Sequence, residues 1–269
     1  MPHFAPTNPI PVALCLGGMD PSAGAGLVRD ALTLAALGVH PMVISIAETV
    51  QNGVACEQIL APSVSPTQRL QTLRPHLAGP WGVKLGLSAL EPNDLQSLLA
   101  ELEAIDPGPR IWDPIQAPTC GVALHDSSAL RRMAAIVLKS GTWVVAPNRP
   151  EAAAMGGVPE DSEPLTLARA FLESGARAVW LKGGHGSGAA VEDFWIESGV
   201  CSSLGAHHRQ AGDRRGTGCT VASAWLGYRL LGLDDRQAAR QAIVWLREHW
   251  AKAFLPGGVG RPTFAPEHP

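Results

Sequence analysis

Residues 212–224, GDRRGTGCTVASA, set two arginines, two closely spaced glycines and one cysteine ahead of an apolar run. Gly216 and Gly218 let the backbone turn its N–H groups toward one point. A helix that opens there adds the positive end of its dipole, and the two together form a cradle for phosphate. Cys219 falls in the first turn, where the same dipole lowers a thiol pKa and favours a thiolate or general base. The same residues also describe a Gly-rich turn capped by Thr217, with Cys219 a small buried apolar residue.

Other stretches carry similar pairs of readings. GGMDPSAGAG (17–26) contains neither G-x-G-x-x-G nor G-x-x-x-x-G-K-[ST], so it signals neither a dinucleotide site nor a P-loop. Its glycines suit a backbone that approaches a ligand, or a turn in which Ser22 caps the next helix. Asp30, on that helix, is either solvated surface or a polar pocket residue. In PNRPEA (147–152), Asn148 and Glu151 have capping-box spacing; Glu151 equally suits a carboxylate orienting a magnesium-bound water. Lys182 ends an apolar run before GGHG, and there it can deliver charge to a nucleotide phosphate or simply snorkel. With lysine otherwise confined to Lys84, Lys139 and Lys252, its position stands out. His207 and His208 are adjacent and point apart, and without H-E-x-x-H no zinc site is assigned.

The elements that must position these residues alternate along the chain. Short runs rich in Val, Ile, Leu and Trp predict strands at 12–17, 41–48, 81–86, 110–113, 142–146 and 178–183. Apolar residues at three- and four-residue spacing predict helices at 25–38, 92–105, 165–175, 217–232 and 235–253. AAVEDFWIE (189–197) reads as an antiparallel edge strand. The pattern is α/β around a parallel sheet, and ligands of such sheets bind at the carboxyl ends of the strands. Most of the polar and Gly-rich stretches fall there, including ETVQNG (48–53) and DPIQAPTCG (113–121).

Composition narrows the class. The 269 residues are 46% hydrophobic, which is ample for a core, and no composition shift marks a boundary, so one domain is expected. Residues 1–11 and 256–269 read as irregular tails. A net charge of −3 with scattered basic residues argues against nucleic-acid binding. Five cysteines without C-x-x-C spacing argue for a reducing cytoplasm. No charged n-region precedes the first apolar run, and no run reaches membrane-spanning length.

In order along the chain, GGMDPSAGAGLVRDALTLAALGVHPMVISIAETVQNG, VKLGL, WDPI, VVAPNRPEAAA, AVWLKGGHG and RGTGCTVASA resemble the hydroxymethylpyrimidine and phosphomethylpyrimidine kinases of thiamine biosynthesis. Those enzymes are members of the ribokinase-like superfamily. The resemblance spans residues 12–250 and implies a three-layer α/β/α sandwich with a mostly parallel sheet and an antiparallel edge. It also implies a homodimer that uses ATP with Mg²⁺ to phosphorylate a primary alcohol or a phosphate.

Residue by residue, GTGC matches the family's anion hole, so Gly216, Thr217 and Gly218 are expected to hold the transferring phosphoryl group, with Cys219 as base. Asn148 and Glu151 match the N-x-x-E magnesium motif. Lys182 and Asp113 match positions near the phosphates. Gly18, Asp30, Gln51, Leu87 and Ile115 align with pyrimidine-holding positions, with Gln51 reading the ring through its amide.

Three departures bear on substrate. Arg214 and Arg215 replace a Thr-His pair, and are expected either to grip a phosphorylated substrate or nucleotide or to lie exposed. Thr119, Cys120 and Gly121 replace a Lys-Ser-Gly loop, and Glu48 replaces an apolar residue and is expected to face the pocket. Two further readings stay open: a pyridoxal kinase, and a ligand-binding paralogue without turnover.

Overall fold

The computed structural model describes residues 10–116, 126–184 and 188–264. In β1 (Val12–Met19), alternate side chains pack on opposite faces of the sheet: Leu14 and Leu16 on one, Ala13 and Cys15 on the other. β2 (His40–Gln51), β4 (Trp81–Leu85), β5 (Arg110–Trp112), β6 (Val144–Val145) and β7 (Ala178–Leu181) lie parallel with β1 in the order β2-β1-β4-β5-β6-β7. β3 (Cys56–Leu60) pairs antiparallel outside β2. At the other end, β8 (Ala190–Glu197) pairs antiparallel with β7, and β9 (Val200–His208) with β8. The expected antiparallel edge is therefore two strands wide.

Helices cover both faces. α1 (Gly26–Ala36), α7 (Thr217–Leu230) and α8 (Asp235–Trp250) bury Leu34, Trp225 and Ala242 against the face carrying Ala13, Ile111 and Ala178. α2 (Pro66–Leu73), α3 (Pro92–Glu103), α4 (Ser127–Val137), α5 (Arg149–Gly156) and α6 (Pro164–Glu173) cover the face carrying Leu16, Val83, Trp112 and Leu181. The small side chains beneath α7, and its own Gly218 and Ala222, let it lie close to the strands, and Gly227 lets it lie close to the end of α1. A Cβ on Gly227 would come 2.8 Å from Leu37 Cδ1. This close seating brings the N-terminus of α7 to the carboxyl ends of β1, β4 and β5.

The first expected helix starts later than a Ser22 cap would place it. Asp20 Oδ1 accepts from the Ser22 N–H and hydroxyl, Asp20 Oδ2 accepts from the Ala25 N–H, and Ala23 takes φ +58. The segment is thus a loop wound on the Asp20 carboxylate, and α1 begins at Gly26. β2 also runs past its expected end, because pairing with β3 keeps residues 49–51 extended. Residues 256–264 hold only a short 3-10 turn and a bridge between Phe254 and Thr263, yet Thr263 and Phe264 are buried. Arg29 Nη2 anchors that segment by donating to the Phe264 carbonyl at 2.8 Å.

Between β7 and β8, buried Asp193 of β8 accepts from Trp180 Nε1 of β7 at 2.9 Å and from the Gly183 N–H at 2.8 Å. Asp193→Ala leaves two buried donors without an acceptor. It should lower the unfolding free energy by about 2 kcal/mol or more in denaturant titration, with Asp193→Asn losing less. A loss in the alanine variant below about 0.5 kcal/mol would show that this region relaxes freely.

Candidate active site

Gly216 caps α7 at φ +75, and a Cβ there would sit 2.3 Å from the Gly24 carbonyl oxygen, so only glycine fits. The Thr220 N–H is the first in α7 to reach a helical acceptor, Gly216 O at 2.8 Å. The N–H groups of Thr217, Gly218 and Cys219 are left to the helix end, where they face the cleft that these residues line. Gly216, not Thr217, is the cap. Cys219 is 5% exposed and the Gly26 N–H bonds to it, but its thiol is not the low-pKa group expected from the dipole. Burial pushes it up to about 11, with Lys84 pulling the other way.

Against this turn lies an ion pair from the ends of β5 and β7, which flank β6. Lys182 Nζ sits 2.7 Å from Asp113 Oδ1, and a Cβ on Gly218 would come 3.4 Å from both Lys182 Nζ and Asp113 Oδ2. Lys182 therefore neither snorkels nor stands alone. Burial opposes its charge, but Asp113 and Glu151 prevail and hold the ammonium above its ordinary range. The other oxygen, Asp113 Oδ2, is buried with no hydrogen-bond partner among the described residues. Beside it, Asn148 and Glu151 do form the capping box of α5: the Asn148 N–H donates to Glu151 Oε2 at 2.7 Å, and the Glu151 N–H to Asn148 Oδ1 at 2.8 Å. Both also line the cleft, and burial raises the Glu151 carboxyl to about 7. An orphaned carboxylate oxygen and a second carboxylate beside a phosphate cradle fit Mg²⁺, which takes few protein ligands and keeps waters and phosphate oxygens. Among the described residues no group of three or more His, Cys, Asp or Glu is gathered together.

The cleft, about 1030 Å³, continues from the turn to the end of β2. Gly18, Asp30, Gln51, Leu87 and Ile115 all line it, so the expected acceptor residues are brought together. Gly18 keeps the β1 end thin, since a Cβ there would lie 3.2 Å from Leu87 Cδ2. Asp30 is not surface: its Oδ1 accepts from Lys84 Nζ at 2.6 Å and Ser223 Oγ at 2.8 Å. Burial opposes the Lys84 charge, yet the adjacent Asp30 holds it above its ordinary range. Glu48 does not face the cleft. Strand side chains alternate, so Thr49 and Gln51 line it while Glu48 and Val50 fall on the opposite side.

The two arginines part company. Arg214 lies on the cleft rim with its guanidinium 5.4 Å from the Trp250 ring centroid, a cation–π contact. Arg215 is buried rather than exposed and reaches away from α7 to Asp20, Ser22 and Gln51. Asp20, Lys84 and this inward reach are the site features that sequence reasoning missed. A lysine inside the apolar run WGVKLG was the available signal, since a charge on a buried strand must find a partner. Thr119, Cys120 and Gly121 lie outside the described residues.

A mostly parallel sheet, a helix N-terminus aimed along the strand ends and a carboxylate–lysine pair beside it define a ribokinase-like small-molecule kinase. The chain belongs to the phosphomethylpyrimidine kinase family, whose model matches residues 20–263. A hydroxymethylpyrimidine/phosphomethylpyrimidine kinase of Streptomyces coelicolor is 32% identical over 272 residues, covering 95% of this chain and 96% of that one. Among solved structures, a Staphylococcus aureus pyridoxal kinase bound to AMP-PCP and pyridoxal superposes with a TM-score of 0.81 at 21% identity, covering 95% of this chain and 93% of that one. A phosphomethylpyrimidine kinase from Clostridium difficile gives 0.72 at 22% identity, covering 89% of this chain and all but 1% of the other (99%). These two share the fold.

A thiol with a pKa of about 11 is thiolate to roughly one part in a thousand at pH 8. Iodoacetamide labelling followed by peptide mapping should therefore mark exposed Cys201 well ahead of Cys219. Faster labelling of Cys219 would restore the dipole-activated thiolate.

Proposed function

We propose that this chain transfers the γ-phosphoryl group of ATP to 4-amino-5-hydroxymethyl-2-methylpyrimidine, to its monophosphate, or to both, in thiamine biosynthesis. The observation that carries the reading is one continuous cleft. At one end stand the N–H groups opening α7, Cys219, the Asp113–Lys182 pair and Asp30, which is bonded to Ser223 one turn along α7; at the other stand Gln51 and Leu87. Phosphoryl transfer asks for positioning and for stabilisation of charge on the moving group more than for covalent chemistry. The N–H groups of Gly216, Thr217, Gly218 and Cys219 supply fixed donors for that charge, and Lys182 adds a cation.

Gln51 and Asp30 hold the polar edge of the acceptor, while Gly18, Leu87 and Ile115 pack on its ring. Cys219 accepts the hydroxyl proton. Asp113 and Glu151 would hold Mg²⁺, Glu151 through water, and Asn148 fixes Glu151 by the capping box. When bound, the ion neutralises phosphate charge and orients the leaving group. Arg214 on the rim meets the nucleotide or a phosphorylated acceptor. A single kinase domain acting as a cytoplasmic homodimer completes the proposal. It is supported by the exposed Val43, Val50 and Leu60 on β2 and β3, and by the lack, among the described residues, of any helix long and apolar enough to cross a membrane.

Pyridoxal is the second reading, favoured by the fold shared with a pyridoxal kinase and by the same ring-bearing CH₂OH chemistry. An ADP-release assay with Mg²⁺ and ATP should respond to the hydroxymethylpyrimidine or its monophosphate. A higher kcat/KM for pyridoxal would overturn that choice, and tight binding without turnover would indicate a paralogue that has lost catalysis. Cys219→Ala should lower kcat by roughly two to four orders of magnitude, the range for losing a general base. Because the thiol must ionise to act, wild-type kcat should rise with pH above neutrality, and the variant should lack that rise. A near-normal variant would reduce Cys219 to shaping the turn. Glu151→Gln keeps the capping acceptor and should chiefly raise the Mg²⁺ concentration for half-maximal rate; an unchanged requirement would leave Glu151 only its cap.

A further inference from the structure

Arg215 stands directly before the phosphate-cradling turn, but its side chain does not belong to it. Nη2 donates to Asp20 Oδ2 at 2.8 Å and to Gln51 Oε1 at 2.9 Å, and Nη1 donates to Ser22 Oγ at 2.6 Å. One guanidinium thus joins three segments remote in sequence: the loop after β1, the end of β2 and the start of α7. The space for it is made by two glycines. A Cβ on Gly24 would lie 2.6 Å from Nη1, and one on Gly53 2.9 Å from it. Its backbone is pinned from behind, where the Arg215 N–H donates to the Pro262 carbonyl at 2.8 Å.

We propose that Arg215 is a positioning residue that sets acceptor specificity by locking the Gln51 carboxamide in one orientation. The Gln51 oxygen accepts from Arg215, while Gln51 Nε2 donates to Thr49 Oγ1 at 2.8 Å; the Thr49 hydroxyl donates onward to the Met19 carbonyl at 2.5 Å. A flipped amide would set N–H donors against the guanidinium donors and leave the Thr49 oxygen facing another acceptor. The first loss would fall on a guanidinium that is itself buried, where an unpaired donor is costly. Gln51 therefore meets the acceptor ring as a fixed pattern of donor and acceptor rather than an adaptable one. The same guanidinium clamps the 20–25 loop, so acceptor pocket and phosphate turn keep one relative geometry. Lysine does not replace it, because a single ammonium lacks the planar fork that reaches Asp20, Ser22 and Gln51 together.

This inference rests on the proposed kinase reading, and its test separates the two. Steady-state kinetics with hydroxymethylpyrimidine and ATP would compare wild type, Arg215→Ala, Arg215→Lys, Gln51→Ala and the Arg215→Ala/Gln51→Ala double variant. Amide hydrogen exchange would be read on the same proteins. Losing Arg215 should raise acceptor KM about 10- to 100-fold, the range for lost hydrogen bonds to a charged group, while ATP KM moves less than about threefold. Lysine should rescue little. In the Gln51→Ala background, removing Arg215 should cost less than about threefold more. Exchange should quicken at 20–26 and 49–53 and stay unchanged in the central strands. Multiplying effects in the double variant, an equal rise in ATP KM, or unchanged exchange in those two segments would each overturn the proposal. If wild type turns over neither pyrimidine nor pyridoxal, the kinase reading fails, and the exchange result alone then decides the clamp. Should Arg215→Ala not fold, Asp20→Asn/Arg215→Gln carries both readouts, because it leaves no unpaired buried charge.

Discussion

Three carboxylates lie buried where the parallel strands and their loops end, and each is held by one basic side chain: Asp20 by Arg215, Asp30 by Lys84 and Asp113 by Lys182. Removing ions from water costs several kcal/mol each, and a buried pair often contributes no net stability over apolar residues of the same volume. Breaking one pair, by contrast, leaves a charge that nothing else neutralises. The fold is therefore committed to keeping all three closed, and closing them fixes the geometry of the cleft. Each pair spans segments that the sheet alone would not tie together, and all three surround the first turn of α7. The result is a set of charges and dipoles aligned before any ligand arrives, which is how an enzyme stabilises a charged transition state without reorganising at the moment of reaction.

The close seating of α7 is the second half of that constraint. Its N-terminus reaches the strand ends because Gly216 occupies a position where a Cβ would meet the Gly24 carbonyl, while Gly227 lets the helix lie against Leu37 at the end of α1. The same closeness buries Cys219 and raises its pKa, so the position proposed for a base also costs it thiolate. A loose transition state eases that conflict, since the acceptor hydroxyl needs to lose its proton only late.

Much of the frame was legible from periodicity, because both faces of a parallel sheet must be covered and its strands read as unbroken apolar runs. All six parallel strands were placed that way. β3 and β9 were not, since strands exposed at an edge carry mixed residues such as CEQIL and VCSSLGAHH. Short α5 is alanine-rich and shows little amphipathic pattern, so only its capping box announced it. Gly18, Asp30, Gln51, Leu87 and Ile115, which line the cleft, were expected there from the family resemblance and not from local pattern. What sequence withheld was partnership across distance. Arg215 meets Asp20 and Gln51, 195 and 164 residues away, and local pattern carries no trace of such a contact. Glu48 failed for a simpler reason: three residues from Gln51 on a strand is an odd number, which puts the two on opposite faces.

On the proposed function, the first turn of α7 receives the transferring phosphoryl group and the acceptor lies along the same cleft. A crystal structure with Mg²⁺, a non-hydrolysable ATP analogue and hydroxymethylpyrimidine tests it most directly. The terminal phosphate is expected within hydrogen-bond reach of the N–H groups of residues 216–219, and the acceptor CH₂OH between that phosphate and Cys219 Sγ. A terminal phosphate held elsewhere in the cleft, with the 216–219 N–H groups facing solvent or protein, would contradict it.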